Sequence, residues 1–228
     1  MPVLRGEWIM LKLLVALILS LAQPSAGPIE DYTTATRPSI APVSWELKFR
    51  FQDPQRVSVI VPGQKEPVLY WYMLYTVENP GRSDVEYLPH FELVTDTLKV
   101  IRSEVRVSPE AFQAIKRRSN DPLLLPPEKI VGTLQHGADR ARHGVAIFKD
   151  FDPKAKAFTI YVSGLSGEVK RVKNPGFDKS KPEGPDNLRY LVLRKTLAIP
   201  YRFPGSESVR TQAMPERVVS SPLKWVMR

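Results

Sequence analysis

The sequence predicts an all-β, mainly antiparallel chain, a β-sandwich with one short helix. Three observations point there. Over residues 45–51 every odd position is large and apolar and every even one is charged, the period of a strand with one buried face. Residues 68–77 are apolar at odd and even positions alike, as a central strand covered on both sides requires. The 22 prolines and 12 glycines punctuate the whole chain without any strand–helix–strand alternation, which argues against a parallel α/β sheet.

The elements follow in order. After the strand at 45–51, Asp53-Pro54 turns the chain into a second strand at 57–61, ended by Pro62-Gly63. In the strand at 68–77, Tyr70, Tyr72 and Leu74 face one way; Trp71, Met73 and Tyr75 face the other. Asn79-Pro80-Gly81 closes it with turn chemistry. Short strands are expected at 84–88, 91–95 and 98–107. One helix is expected from 109 to 118. Ser108 is its N-cap, Pro109 its first residue, and Glu110 sits at the positive end of its dipole. Ala111, Phe112 and Ile115 form its apolar stripe, Lys116, Arg117 and Arg118 fill its last turn, and Asn120-Asp121-Pro122 stops it. Strand patterns resume at 130–134, 145–151, 157–162 and 189–201. A boundary near Asn120 would divide the chain into two small β modules. A single domain over 43–203 is the preferred division, because the one-sided strands after residue 145 need a partner sheet. The tail, 204–228, offers only Trp225 and Val226 to a core.

The N-terminus reads as a secretory signal over residues 1–22. Arg5 and Lys12 give a positive start, residues 13–21 (LLVALILSL) form the apolar core, and Ser20-Leu21-Ala22 has small residues where signal peptidase reads. That core is too short for an ordinary membrane span, which needs about twenty residues. Residues 23–42, rich in Pro, Ser, Thr and Ala, read as a flexible leader. The expectation is a periplasmic or secreted protein without a transmembrane anchor once the signal is cut. The formal charge is +9; removing residues 1–22, which hold Arg5, Lys12 and Glu7, lowers it by one to +8. A basic surface of this kind favours acidic polymers or proteins with acidic faces.

There are no cysteines, which excludes disulfides, thiolate nucleophiles, Cys–zinc and iron–sulfur sites. Gly164-Leu165-Ser166-Gly167-Glu168 approximates a nucleophile elbow, but Glu168 stands where the motif needs glycine. Asp96-Thr97 has Leu98 where an aspartic protease has glycine. Asp150 and Asp152, with Asp178 and Asp186 later, lack the glycine and further ligand of a calcium loop. His136 and His143 bracket a polar stretch that reads as a solvated loop, and His90 stands alone. No metal or cofactor is expected. The remaining concentration of chemistry is basic: Lys116, Arg117 and Arg118; Arg140 and Arg142; and Lys170, Arg171 and Lys173. If they converge they form an anion-binding face. Few aromatics lie near them, which argues against stacked nucleic acid as a partner.

The segments 45–54, 70–79 and 91–97, continued by 148–153, 164–168 and 194–198, resemble a family of uncharacterised exported bacterial proteins rich in β-structure. Residues 70–81 also resemble bacterial immunoglobulin-like domains. The resemblance implies an extracytoplasmic compartment and a β-rich fold, read here as an immunoglobulin-like sandwich, and brings no catalytic residues. The expected function is that of a non-enzymatic binding or structural module of the envelope. The alternative is an envelope hydrolase acting on polysaccharide through a pair drawn from Glu78, Glu86, Glu92 and Asp96.

Overall fold

The computed structural model describes residues 30–32, 45–104, 106–205, 213–218 and 223–228. The signal sequence and most of the leader lie outside them. Two antiparallel sheets pack face to face. The first holds β1 (Glu30–Tyr32), β2 (Lys48–Phe51), β3 (Gln55–Val59), β4 (Val68–Asn79) and β9 (Gly137–Lys149). The second holds β6 (His90–Thr95), β7 (Val100–Arg102), β10 (Ala157–Ser163), β11 (Val169–Lys173), β12 (Tyr190–Arg202), β13 (Glu216–Arg217) and β14 (Lys224–Met227). A small pair, β5 (Val85–Tyr87) with β8 (Gly132–Leu134), closes one end.

In the first sheet β4 is central, as its two-sided apolarity predicts. β9 lies on one edge and both β2 and β3 on the other. Lys48–Phe51 pairs with Glu78–Tyr75, and Gln55–Val59 with Tyr72–Val68. Between these ladders Gln52, Asp53 and Pro54 stand against Met73 and Leu74, so the edge carries one extra residue, a β-bulge. The extra residue reverses parity. Leu47, Phe49 and Phe51 face the sandwich core with Trp71, Met73, Tyr75 and Val77. Beyond the bulge Val57 and Val59 face the other side, with Tyr70 and Tyr72.

That other side is covered by α1 (Pro109–Ser119). Ser108 Oγ accepts from the Ala111 N–H at 3.2 Å, and Ala111 and Ile115 are buried against Tyr70, Tyr72, Val145 and Ile147. A second helix of one turn, α2 (Pro127–Ile130), buries Ile130. Among the described residues no helix is long and apolar enough to cross a membrane.

In the second sheet β10 lies between β6 and β12, and β7 extends the β6 edge. The far edge of β12 takes β14 and β13, so the tail past residue 204 adds strands to the sheet. The shared core is aromatic: Phe91 meets Tyr75 at 5.0 Å and Phe49 at 6.3 Å, and Phe203 meets Trp71 at 5.6 Å, all across the two sheets.

Several sequence expectations are corrected. Residues 98–107 are not one strand: Leu98 takes φ 61° in a turn held by Thr95, whose Oγ1 accepts from the Lys99 N–H, and among the described residues of the stretch only Val100–Arg102 forms a strand. The polar stretch 137–142 is the first part of β9, carried past the core because Asn79 and Val77 of β4 pair with Gly137 and Arg142. Glu30–Tyr32, placed in the flexible leader, pairs with Phe51–Phe49. The even residues Glu46, Lys48 and Arg50 are half-buried rather than fully exposed. Arg50, for example, folds onto Glu78 at 2.9 Å.

Candidate functional site

The three basic clusters stand on three separate elements, the helix α1, β9 of the first sheet and β11 of the second. At the end of α1, Lys116 Nζ donates to the Leu124 carbonyl and Arg118 to that of Arg56. Arg117 is exposed on the same turn. On β9, Arg142 is committed to structure: its guanidinium donates to the carbonyls of Ile130, Val131 and Thr133 and ties β9 to α2 and β8. Arg140 pairs with Asp139 at 3.2 Å. On β11, Lys170, Arg171 and Lys173 are exposed, and Arg171 stacks over Tyr190 at 4.0 Å.

The segment 164–168 is a corner rather than a nucleophile elbow. Gly164 takes φ +85°, and a Cβ there would lie 2.4 Å from the Leu88 carbonyl oxygen, so only glycine fits. The Leu47 N–H donates to the Leu165 carbonyl, and the Gly167 N–H to that of Trp45. The Ser166 hydroxyl is buried, donates to the Trp45 carbonyl and accepts from the Glu168 N–H. Beside this corner the buried Lys195 ammonium reaches Glu46 at 2.7 Å and Glu168 at 3.4 Å and lies 4.9 Å from the Trp225 ring. It fastens the first sheet's leading segment to β12.

The carboxylates proposed for hydrolysis sit apart. Glu78 pairs with Arg50, Glu86 accepts from Thr133, Asp96 caps the Lys156 N–H, and Glu92 lies on the outer face of the second sheet. Asp150 accepts from the Trp71 indole at 2.8 Å and Asp152 from the Lys154 N–H. Among the described residues no group of three His, Asp or Glu is placed to hold a metal. Each histidine rests on a carboxylate: His143 on Asp121 at 2.6 Å, His136 on Asp84 at 2.8 Å, His90 on Glu92 at 3.3 Å.

The strand registers assemble a face that no sequence cluster announces. Residues paired across antiparallel strands share a side. Glu92 is paired with Tyr161 and Arg102, Tyr161 with Ala198, and Ala198 with Lys224; Thr196 is paired with Val226, and Arg171 and Lys173 with Val192 and Tyr190. Arg194 and Arg228 exchange backbone hydrogen bonds at the same level. The outer face therefore carries Arg102, Arg171, Lys173, Arg194, Lys224 and Arg228, with His90, around Glu92. Arg202 and Glu216 lie farther along it and pair with each other at 3.8 Å.

At its centre is a cup of about 140 Å3 lined by His90, Glu92, Tyr161, Ser163, Arg194, Thr196 and Arg228. Glu92 accepts from His90 at 3.3 Å and Arg102 at 3.2 Å on one oxygen, and its other oxygen forms an ion pair with Arg228 at 3.0 Å. Arg228 lies 4.2 Å over the Tyr161 ring. Burial pushes the Glu92 carboxyl up, but the hydrogen bonds from His90 and Arg102 and the charge of Arg228 outweigh it and hold it below its ordinary value. Asp84 is likewise held low, by hydrogen bonds from the His136 side chain and backbone. A depressed carboxyl stabilises the fold at pH above its unfolded value and loses that contribution as pH falls through the folded one. Thermal midpoints are therefore expected to decline as pH drops from about 6 to about 3, through the ordinary carboxylate range, and less so in Glu92→Gln. A decline identical in that variant would remove Glu92 from the account.

The fold and this face define a mainly β antiparallel sandwich presenting one cationic sheet surface. No family model, curated protein or solved structure matches the chain.

Proposed function

We propose that the chain is an exported, non-enzymatic binding module of the envelope or extracellular space, which holds an acidic partner on the outer face of its second sheet. The carrying observation is the convergence of Arg102, Arg171, Lys173, Arg194, Lys224 and Arg228 on one sheet side against Glu92. Stability does not account for it. Arg102 is 73% exposed and Arg228 39%, and ion pairs so exposed contribute about 0–1 kcal/mol. Arg194 is exposed and has no acidic partner among the described residues. The strand order supports the immunoglobulin-like reading. β4 lies between β2/β3 and β9, and β10 between β12 and β6, as strands B and F lie in that fold. The sequence of residues 1–22 supports export.

Binding of the mature chain to an anionic polymer should be strong at about 0.1 M salt and weak at about 1 M, where the Debye length shrinks from about 10 Å to about 3 Å. Changing Arg194 and Arg228 together to Ser should lower low-salt affinity at least ~10-fold, since charge-assisted hydrogen bonds are the strong ones. Changing Lys116, Arg117 and Arg118 to Ser should lower it far less. The reverse order would move the face to α1, and no low-salt binding would end the proposal.

A further inference from the structure

We infer that the cup at the centre of this face is a saccharide subsite, and that the acidic partner is a polysaccharide of uronate-type sugars. This rests on the binding reading above. A carboxylate has about four acceptor positions; on Glu92 the hydrogen bonds from His90 and Arg102 both fall on one oxygen, and the other faces the Arg228 guanidinium as an ion pair. That second oxygen keeps acceptor capacity. The Thr196 hydroxyl spends its hydrogen on the Arg194 carbonyl at 3.0 Å, and the Ser163 hydroxyl points its own at the His90 carbonyl at 3.5 Å, so both keep lone pairs for a ligand. Arg194 contributes donors alone, in a planar fork that matches a carboxylate.

The cup thus offers one guanidinium to an anion and three acceptors to nearby hydroxyls. A bare carboxylate or an acidic peptide side chain supplies no hydroxyl donors to Glu92, Ser163 and Thr196. A uronate supplies both groups on one ring: its carboxylate for Arg194, its hydroxyls for Glu92, Ser163 and Thr196. The size agrees. At about 140 Å3 the cup is well below the ~300 Å3 lower end of pockets for drug-sized ligands, and suits one sugar unit. Beyond it the same sheet side continues past Val192 to Arg171 and Lys173, so further acidic units of a chain meet further cations.

The test compares polygalacturonate with polyglutamate of equal length at about 0.1 M salt. Polygalacturonate should bind about tenfold tighter, the effect of one or two net hydrogen bonds. Glu92→Gln should move the two in opposite directions, tightening polyglutamate by removing a negative charge and weakening polygalacturonate. Ser163→Ala, which leaves charge unchanged, should weaken polygalacturonate alone. Equal binding of the two polymers, or a gain for both in Glu92→Gln, would overturn the saccharide subsite and leave the cationic face standing. Absence of binding to either would remove both.

Discussion

Replacing Phe158 with Ala is expected to cost about 3–5 kcal/mol, the range for truncating a buried aromatic. Phe158 is 2% exposed on β10, the strand between β6 and β12. Its ring lies 5.2 Å from that of Tyr201, 5.4 Å from Phe151 and 5.5 Å from Phe203. Rings held by two sheets have little freedom to close the space, so a cavity term adds to the lost transfer energy, and ring–ring attraction is lost as well. The denaturation midpoint should fall with the slope unchanged, the mark of a stability effect. A cost below about 1 kcal/mol would mean that the sheets do not meet at this ring.

Leu47→Asp should cost about as much by another route. Leu47 is 4% exposed, in the core cluster with Phe49, Phe51 and Val77. The change forfeits about 2 kcal/mol of apolar burial and places a carboxylate where it has no partner, for a total of roughly 4 kcal/mol. Lys48→Asp, one residue on, puts its charge opposite Glu78 on the other side of the sheet. A like-charge pair across strands costs up to about 1 kcal/mol. Parallel denaturation curves separate the two, and equal effects would assign the wrong side of the strand to the core.

The fold was legible where burial imposes a period. The alternation of 45–51, the two-sided run in β4, the one-sided β10 and the capped α1 all owe their pattern to what covers them. Strands with water on both sides leave no such signal. β11 reads Val-Lys-Arg-Val-Lys because it is an edge, where cations discourage further pairing, and so it looked like a charge cluster. The polar start of β9 runs past the core for the same reason. Of the candidate site, Arg171 and Lys173 were visible as members of that cluster. Arg102, Arg194, Lys224 and Arg228 were not, because they are spread over β7, β12 and the β14 segment. Their common side depends on which strands pair and in what register, information carried by side chains elsewhere in the chain.

The bulge at Gln52–Pro54 gives this chain something like a reading frame. In an extended segment the residue's side depends only on whether it sits an odd or an even step from its neighbours. The one surplus residue lets a single edge serve two layers, phenylalanines to the sandwich and valines to the helix. Loss of one residue there would act as a frameshift in space. If the ladder to β4 held, Ser58 would replace the valines beneath α1, and Val57 and Val59 would enter a space already filled by aromatic rings. Loss or gain of two would keep the frame. Length variation at this turn is therefore constrained by parity more than by size.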